Sequence, residues 1–128
     1  MTGVDPARPG RSIVRLRGPL DFGATKELRE RLIDVLHRGA NPLIIDLSRV
    51  PSCDAAGLAV LIGTQRRARL LGSVVMLAAP GVPVAELLHS TGLHRHFTIY
   101  PDIPAALAHA SSPPAGQGDA AFPERAVG

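Results

Sequence analysis

The residues best placed to do chemistry lie in one short loop, Ser52-Cys-Asp-Ala-Ala-Gly57, between an apolar run and a helical pattern. The N-terminus of a helix presents unpaired N–H donors and a partial positive charge. Asp54 stands where a capping carboxylate is expected, and such a cap is worth about 1 kcal/mol. Cys53 offers a thiol beside it, but no histidine neighbours Cys53 in the sequence. We therefore predict that Asp54 caps the helix and that Cys53 is a small buried residue rather than a nucleophile.

Catalytic motifs of other kinds are missing from the sequence. It has no Gly-rich phosphate loop of the Walker type, no nucleophile elbow and no pair of carboxylates at a workable spacing. His89, His94 and His96 lie close together, but no cysteine or carboxylate accompanies them at the spacing of a metal site. The sequence therefore predicts a protein that is not an enzyme and that uses no metal or cofactor.

The composition fits one small domain. The 128 residues are 45% apolar, and with no tryptophan, one tyrosine and three phenylalanines the core must be aliphatic. The net charge is only +3, and no aromatic residues interleave with the basic ones, which argues against nucleic-acid binding. A single cysteine excludes an intramolecular disulfide and suits a cytoplasmic protein. No apolar run is long enough to predict a membrane span.

Apolar periodicity divides the chain into alternating strands and helices. A stripe that begins at Leu28 recurs at helical spacing, and Gly39 is placed to end that helix. The side chain of Asp21 or of Thr25 is expected to cap it. The alternation indicates an α/β fold with a mostly parallel sheet. The predicted strands are 12–20, 43–47, 73–78 and 96–100, and the predicted helices are 21–39, 54–71, 83–90 and 104–109.

Three short motifs in a fixed order carry a family resemblance. They are Gly18-Pro-Leu-Asp21, Asp54-Ala-Ala-Gly57 and Thr91-Gly-Leu93. With these motifs the chain resembles the STAS domain, the fold of bacterial anti-sigma factor antagonists. The resemblance implies a mixed, mostly parallel sheet of four to five strands with helices packed on it, formed by residues 11–109. Residues 1–10 are then a flexible N-terminal arm or a short edge strand, and residues 110–128 are a disordered tail rich in Pro, Ala and Gly.

The resemblance also implies a function. An anti-sigma factor antagonist binds an anti-sigma factor that has a kinase-type ATP-binding fold, and so releases a sigma factor for transcription. In the family, the second small residue of the loop motif is the serine or threonine that the kinase phosphorylates, and here that position is Ala56. A phosphate there would add about −1.5 to −2 charges beside Asp54 and repel the partner. The usual switch is therefore predicted to be absent, or moved to Ser52.

The predicted partner-binding surface combines the loop, one face of the helix that follows it, and Asp21 on the same rim of the sheet. Small residues at i, i+4 and i+8 form a row on that helix, which packing by a neighbouring helix would also explain. The arginine beyond the row either meets an acidic partner or is simply solvated. The residues of this surface are Asp21, Ser52, Cys53, Asp54, Ala55, Ala56, Gly57, Ala59, Gly63 and Arg66.

Other functions stay open at this point. Within the STAS resemblance, the chain could be an accessory subunit bound to a lipid-transport ATPase, or a scaffold module in stress signalling. A phosphoaspartate receiver domain would use Asp46, but it also needs an acidic pair after its first strand and a lysine after its last, and the only lysine is Lys26. We expect a monomer or a weak dimer.

Overall fold

The computed structural model describes residues 3–8 and 11–110, which form one five-stranded sheet and four α-helices. The strands are β1 (Gly3–Arg8), β2 (Arg11–Arg17), β3 (Leu43–Arg49), β4 (Val75–Ala78) and β5 (Thr98–Tyr100). The helices are α1 (Thr25–His37), α2 (Ala55–Leu70), α3 (Val82–Ser90) and α4 (Ile103–Ala110). Two 3₁₀ turns, Phe22–Ala24 and Leu93–Arg95, precede α1 and β5.

The strands lie in the sheet in the order in which they occur in the chain. β1 runs antiparallel to β2, and every other neighbouring pair is parallel. Parallel neighbours need a crossover connection, and α1, α2 and α3 supply these connections. The predicted mixed, mostly parallel sheet is confirmed. Residues 3–8 form the edge strand rather than a loose arm, whereas residues 111–128 of the predicted tail lie outside the described residues.

Side chains of the strands alternate between the two faces of the sheet, and helices cover both faces. On one face Val14, Ile45 and Leu77 belong to a large apolar cluster with residues of α1, α2 and α3. On the other face Ile13 and Ile44 belong to a smaller cluster with α4. The predicted stripe of α1 is buried in the larger cluster, as Leu28, Leu32, Val35 and Leu36. The core is therefore aliphatic, as the composition predicts.

Helix α1 begins later than the sequence predicts, at Thr25 rather than Asp21. The 3₁₀ turn Phe22–Ala24 takes the first positions, and the Ala24 N–H donates to the Asp21 carbonyl at 3.0 Å. Ala24 is the N-cap of α1, and no side chain caps it. Thr25 Oγ1 instead donates to the Phe22 carbonyl at 2.9 Å. The prediction that Asp21 or Thr25 caps this helix is therefore wrong.

The carboxyl ends of β2, β3 and β4 lie along one rim of the sheet, because these strands are parallel. The connections that leave this rim include residues 18–21 and 50–54, which carry two of the sequence motifs. Helix α2 starts at the same rim and runs to the opposite end of the domain. Its 16 residues span about 24 Å. Hence the rim and the far end of α2 are separate surfaces.

Candidate functional site

The signature loop, Ser52–Gly57, is fastened to the chain that follows β2. The Leu20 N–H donates to the Ser52 carbonyl at 3.0 Å, and the Asp54 N–H donates to the Leu20 carbonyl at 3.1 Å. Leu20 and Cys53 thereby form a parallel bridge beyond the ends of β2 and β3. The first two motifs of the sequence, which are more than thirty residues apart in the chain, therefore meet at the rim.

Asp54 ties the two loops together with its carboxylate. Its Oδ1 accepts the Gly57 N–H at 2.9 Å, which caps α2 as the sequence predicts. Its Oδ2 accepts the Phe22 N–H at 3.1 Å, from the turn that precedes α1. The second hydrogen bond joins the loop after β2 to the signature loop. Asp54 is thus both a helix cap and a clamp on the neighbouring loop.

Gly57 is buried, and its lack of a side chain permits a close approach between α2 and the rim. A Cβ at this position would overlap the Leu20 carbonyl oxygen and lie 2.9 Å from Cys53 Sγ. The Leu20 carbonyl cannot move away without losing the Asp54 N–H that it accepts. Gly57 therefore supports the loop from below, and the exposed part of the loop is formed by its neighbours.

Cys53 lies half-buried against the apolar core, with Sγ 3.5 Å from the Asp54 carbonyl oxygen. Desolvation by burial, and secondarily the charge of Asp54, raises the pKa of the Cys53 thiol from 9.0 to about 11. A thiol with this pKa is protonated at neutral pH, and the protonated form is a poor nucleophile. The geometry agrees with the prediction of a packed residue rather than a reactive one.

The remaining predicted residues of the loop face outward. Ser52, Asp54 and Ala55 are exposed and Ala56 is half-buried, while Asp21 is exposed on the adjoining loop. The Asp21 side chain makes no capping hydrogen bond. The structure therefore brings Asp21 and the signature loop together on one open rim, and it leaves the Asp21 carboxylate available to a partner.

Phe22 belongs to this rim, although sequence analysis did not single it out. Its side chain is 79% exposed, beside Asp21 and next to the loop that Asp54 clamps. The sequence could have identified Phe22, because this large apolar residue does not belong to the buried stripe of α1 and so has no predicted place in the core. An aromatic ring displayed on a fixed backbone is a frequent anchor in protein interfaces.

The exposed face of α2 continues from the signature loop. Ala55, Ala59, Gly63 and Arg66 are exposed, and their spacing places them on one side of the helix. A Cβ built on Gly63 would have no described heavy atom within 4 Å. Among the described residues this row is therefore not covered by a neighbouring helix, which leaves a docking surface or plain surface alanines as its explanation.

Asp46, the candidate acceptor of a receiver domain, has a structural role. It is buried within β3, where its Oδ1 accepts the Ser48 N–H at 2.9 Å. Arg15 Nε on β2 lies 3.6 Å from the other carboxylate oxygen. Among residues 3–8 and 11–110 there is also no group of three or more His, Cys, Asp or Glu side chains that could hold a metal ion.

Comparison with known families identifies the fold. The model of the STAS domain family matches residues 4–106, and the chain therefore belongs to the STAS domain family. This match covers the sheet, the signature loop and the first half of α4.

Solved structures of this fold include regulators and transport proteins. An anti-sigma factor antagonist from Mycobacterium paratuberculosis is 27% identical with a TM-score of 0.79, over 88% of this chain and 94% of that one. Bacillus SpoIIAA, an anti-sigma factor antagonist in its unphosphorylated form, is 19% identical with a TM-score of 0.73, over 85% and 95%. A sulfate transporter family protein from Wolinella succinogenes is 26% identical with a TM-score of 0.71, over 83% and 94%. Among the described residues of the present chain, no helix has the length and apolar character to span a membrane.

Proposed function

We propose that this chain is a cytoplasmic anti-sigma factor antagonist, which acts by binding and not by catalysis. Its partner is an anti-sigma factor with a kinase-type ATP-binding fold, and binding releases a sigma factor for transcription. The family match and the 27% identical antagonist support this class of function. The observation that carries the proposal is the rim itself, where a clamped loop exposes Asp21, Asp54 and Ala55, and where the Asp21 carboxylate caps no helix.

The partner-binding surface consists of the rim and the exposed face of α2. Its carboxylates suit a cationic patch on the partner, and the small side chains of α2 allow a second backbone to approach closely. Gly57 and Cys53 contribute by holding the loop, since they pack against Leu20 and the core. Such an interface is expected to be modest in size, at about 1,200 Å² or less.

Phosphorylation at the usual position is excluded in this proposal, because Ala56 has no hydroxyl. The antagonist is then permanently competent to bind. Incubation with the partner kinase and ATP, followed by intact-mass measurement, tests this point. The expected result is no phosphorylated species, and the variant Ala56→Ser is expected to acquire one if the partner is an active kinase. A phosphoryl group mapped to Ser52 would instead show that the switch has moved within the loop.

A second candidate function follows from the transporter-family structure, which is 26% identical. In that case the rim would bind a transport protein, such as the ATPase of a lipid transporter, rather than an anti-sigma factor. Both candidates use the same fold, so only the partner separates them.

A reconstitution experiment tests the proposal directly. Each kinase-type anti-sigma factor of the source organism is purified in complex with its sigma factor, and the chain is added. Release of a sigma factor, measured by chromatography and by restored transcription, is the expected result. If no complex releases its sigma factor, the proposed function is wrong, and binding to a transport ATPase would favour the second candidate.

A further inference from the structure

The end of α2 that lies farthest from the rim carries an unusual surface, which we name the basic turn: Arg67, Arg69, Leu70, Leu71 and Val74. All five side chains are exposed, with Leu70 at 83%, Val74 at 50% and Leu71 at 48%. Five large apolar side chains are exposed among the described residues, and three of them lie within the short segment 70–74. The clustering is what requires an explanation, since isolated exposed apolar residues are normal.

The backbone of the basic turn is fixed. Ser73 is buried and its hydroxyl donates to the Ala40 carbonyl, while its N–H donates to the Ala68 carbonyl at 2.8 Å. The Val74 carbonyl accepts the Leu43 N–H at 2.8 Å, at the start of β3. Leu70, Leu71 and Val74 are therefore exposed on an anchored turn.

The charge of this region is one-sided. No aspartate or glutamate occurs between Asp54 and Glu86, whereas three arginines occur in that interval. None of the three makes an ion pair with a described residue. Cations at a helix C-terminus are favoured by the helix dipole, but the dipole gives no reason for exposed leucines beside them.

From the combination of exposed apolar side chains and arginines we infer that the basic turn binds the surface of an anionic lipid membrane. Guanidinium groups attract anionic headgroups, and exposed apolar side chains insert at the boundary between headgroups and acyl chains. A second copy of this chain would bring the same positive charges together, and a nucleic acid would place phosphates against the apolar side chains. The inference is independent of the proposed partner.

The position of the basic turn, at the end of α2 opposite the rim, leaves the rim accessible when the chain lies on a membrane. Because α2 is about 24 Å long, a chain seated on the membrane by this turn holds the signature loop away from the lipid. The rim then remains accessible to a protein partner. Membrane binding and partner binding are therefore expected to occur together rather than to compete.

Vesicle co-sedimentation of the full chain tests the inference. Vesicles of equimolar phosphatidylglycerol and phosphatidylcholine are expected to bind the chain, with binding that weakens as salt is raised, and vesicles of phosphatidylcholine alone are expected not to bind it. The double variant Arg67→Gln/Arg69→Gln should bind about thirtyfold more weakly, and Leu70→Ser/Val74→Ser about tenfold more weakly. The matched control Arg17→Gln/Arg29→Gln, which removes two exposed arginines elsewhere, should stay within about twofold.

Several outcomes overturn the inference. They are no binding to anionic vesicles, equal binding to neutral ones, or an equal loss in the control variant. Binding to duplex DNA, without vesicle binding, would assign the turn to nucleic acid. A dimer in sedimentation equilibrium that Leu70→Ser/Val74→Ser dissociates would assign it to a second copy. Circular dichroism of each variant establishes that it is folded, as expected for exposed positions.

Discussion

The two ends of helix α2 are anchored in similar ways but present different chemistry. At its N-terminal end, Asp54 clamps the loops and Gly57 packs on Leu20, while an acidic rim with small side chains and Phe22 is exposed. At its C-terminal end, buried Ser73 fixes the backbone and the basic turn is exposed. Residues that hold a surface and residues that form it are therefore mostly different, with Asp54 belonging to both groups, and a substitution is interpreted according to the group it affects.

The largest expected effect separates these two sets within α2. Gly57→Ala should lower the free energy of unfolding by about 3 kcal/mol, because its Cβ overlaps the Leu20 carbonyl. Gly63→Ala on the same helix should raise it by about 0.5 to 1 kcal/mol, since Gly63 is exposed and its Cβ has space. Urea unfolding measures the stability of both variants. Equal stabilities would show that Gly57 does not support the loop in a way that Gly63 does not.

The next effect concerns recognition at the rim. Phe22→Ala should weaken binding to the partner about thirtyfold, as expected for an exposed aromatic anchor, and should leave the unfolding free energy nearly unchanged. Leu70→Ala is the matched control, because Leu70 is 83% exposed at the opposite end of α2, away from the rim, and this variant should keep the wild-type affinity. Calorimetric titration measures the affinities, and an unaltered affinity in Phe22→Ala would exclude the ring from the interface.

A smaller effect distinguishes the two carboxylates of the rim. Asp54→Ala should destabilise the fold by about 1 kcal/mol, because the Gly57 and Phe22 N–H groups lose their acceptor. Asp21→Ala should change stability by less than about 0.5 kcal/mol, as its side chain caps nothing, and yet weaken partner binding. Unfolding curves and partner titrations of both variants test these roles. A larger stability loss in Asp21→Ala than in Asp54→Ala would show that Asp21, and not Asp54, is the structural carboxylate.

The last effect is a pH dependence that arises from Cys53 and is absent at neutral pH. The folded state raises the pKa of this thiol from 9.0 to about 11, so its protonated form is favoured by folding. The contribution is fully present below pH 9.0 and is lost as the pH rises toward about 11. Urea unfolding across this range should show a steeper loss of stability in the wild type than in Cys53→Ala. A thiolate absorbance of the folded chain that titrates at 9.0 would show that burial does not raise the pKa of this thiol.

Much of the fold could be predicted from local patterns. The apolar run Leu43–Leu47 predicts a buried strand that the structure confirms within β3, and the stripe of α1 faces the core as predicted. Asp54 caps α2 because an Asp before a helical pattern is a local signal. These predictions succeed where the relevant contacts lie within a few residues in sequence.

Other features depend on contacts between distant segments. The predicted start of α1 at Asp21 is wrong because Phe22–Ala24 form a 3₁₀ turn, whose Phe22 N–H donates to Asp54, thirty-two residues away in sequence. The burial of Gly57 involves close contact with Leu20, which lies thirty-seven residues earlier in the sequence and is not signalled locally. The edge strand β1 depends on antiparallel pairing with β2, which a segment with two prolines does not signal.

The most direct test of the central claim, that a protein partner binds the rim at the signature loop, compares two identical substitutions at different places. Ala56→Glu puts a negative charge in the loop, and Ala108→Glu puts the same charge on the exposed face of α4. Affinity for the anti-sigma factor that the wild type binds should fall at least about a hundredfold in Ala56→Glu and stay unchanged in Ala108→Glu, with both variants folded. Wild-type affinity in Ala56→Glu would contradict the claim that the partner binds at this loop.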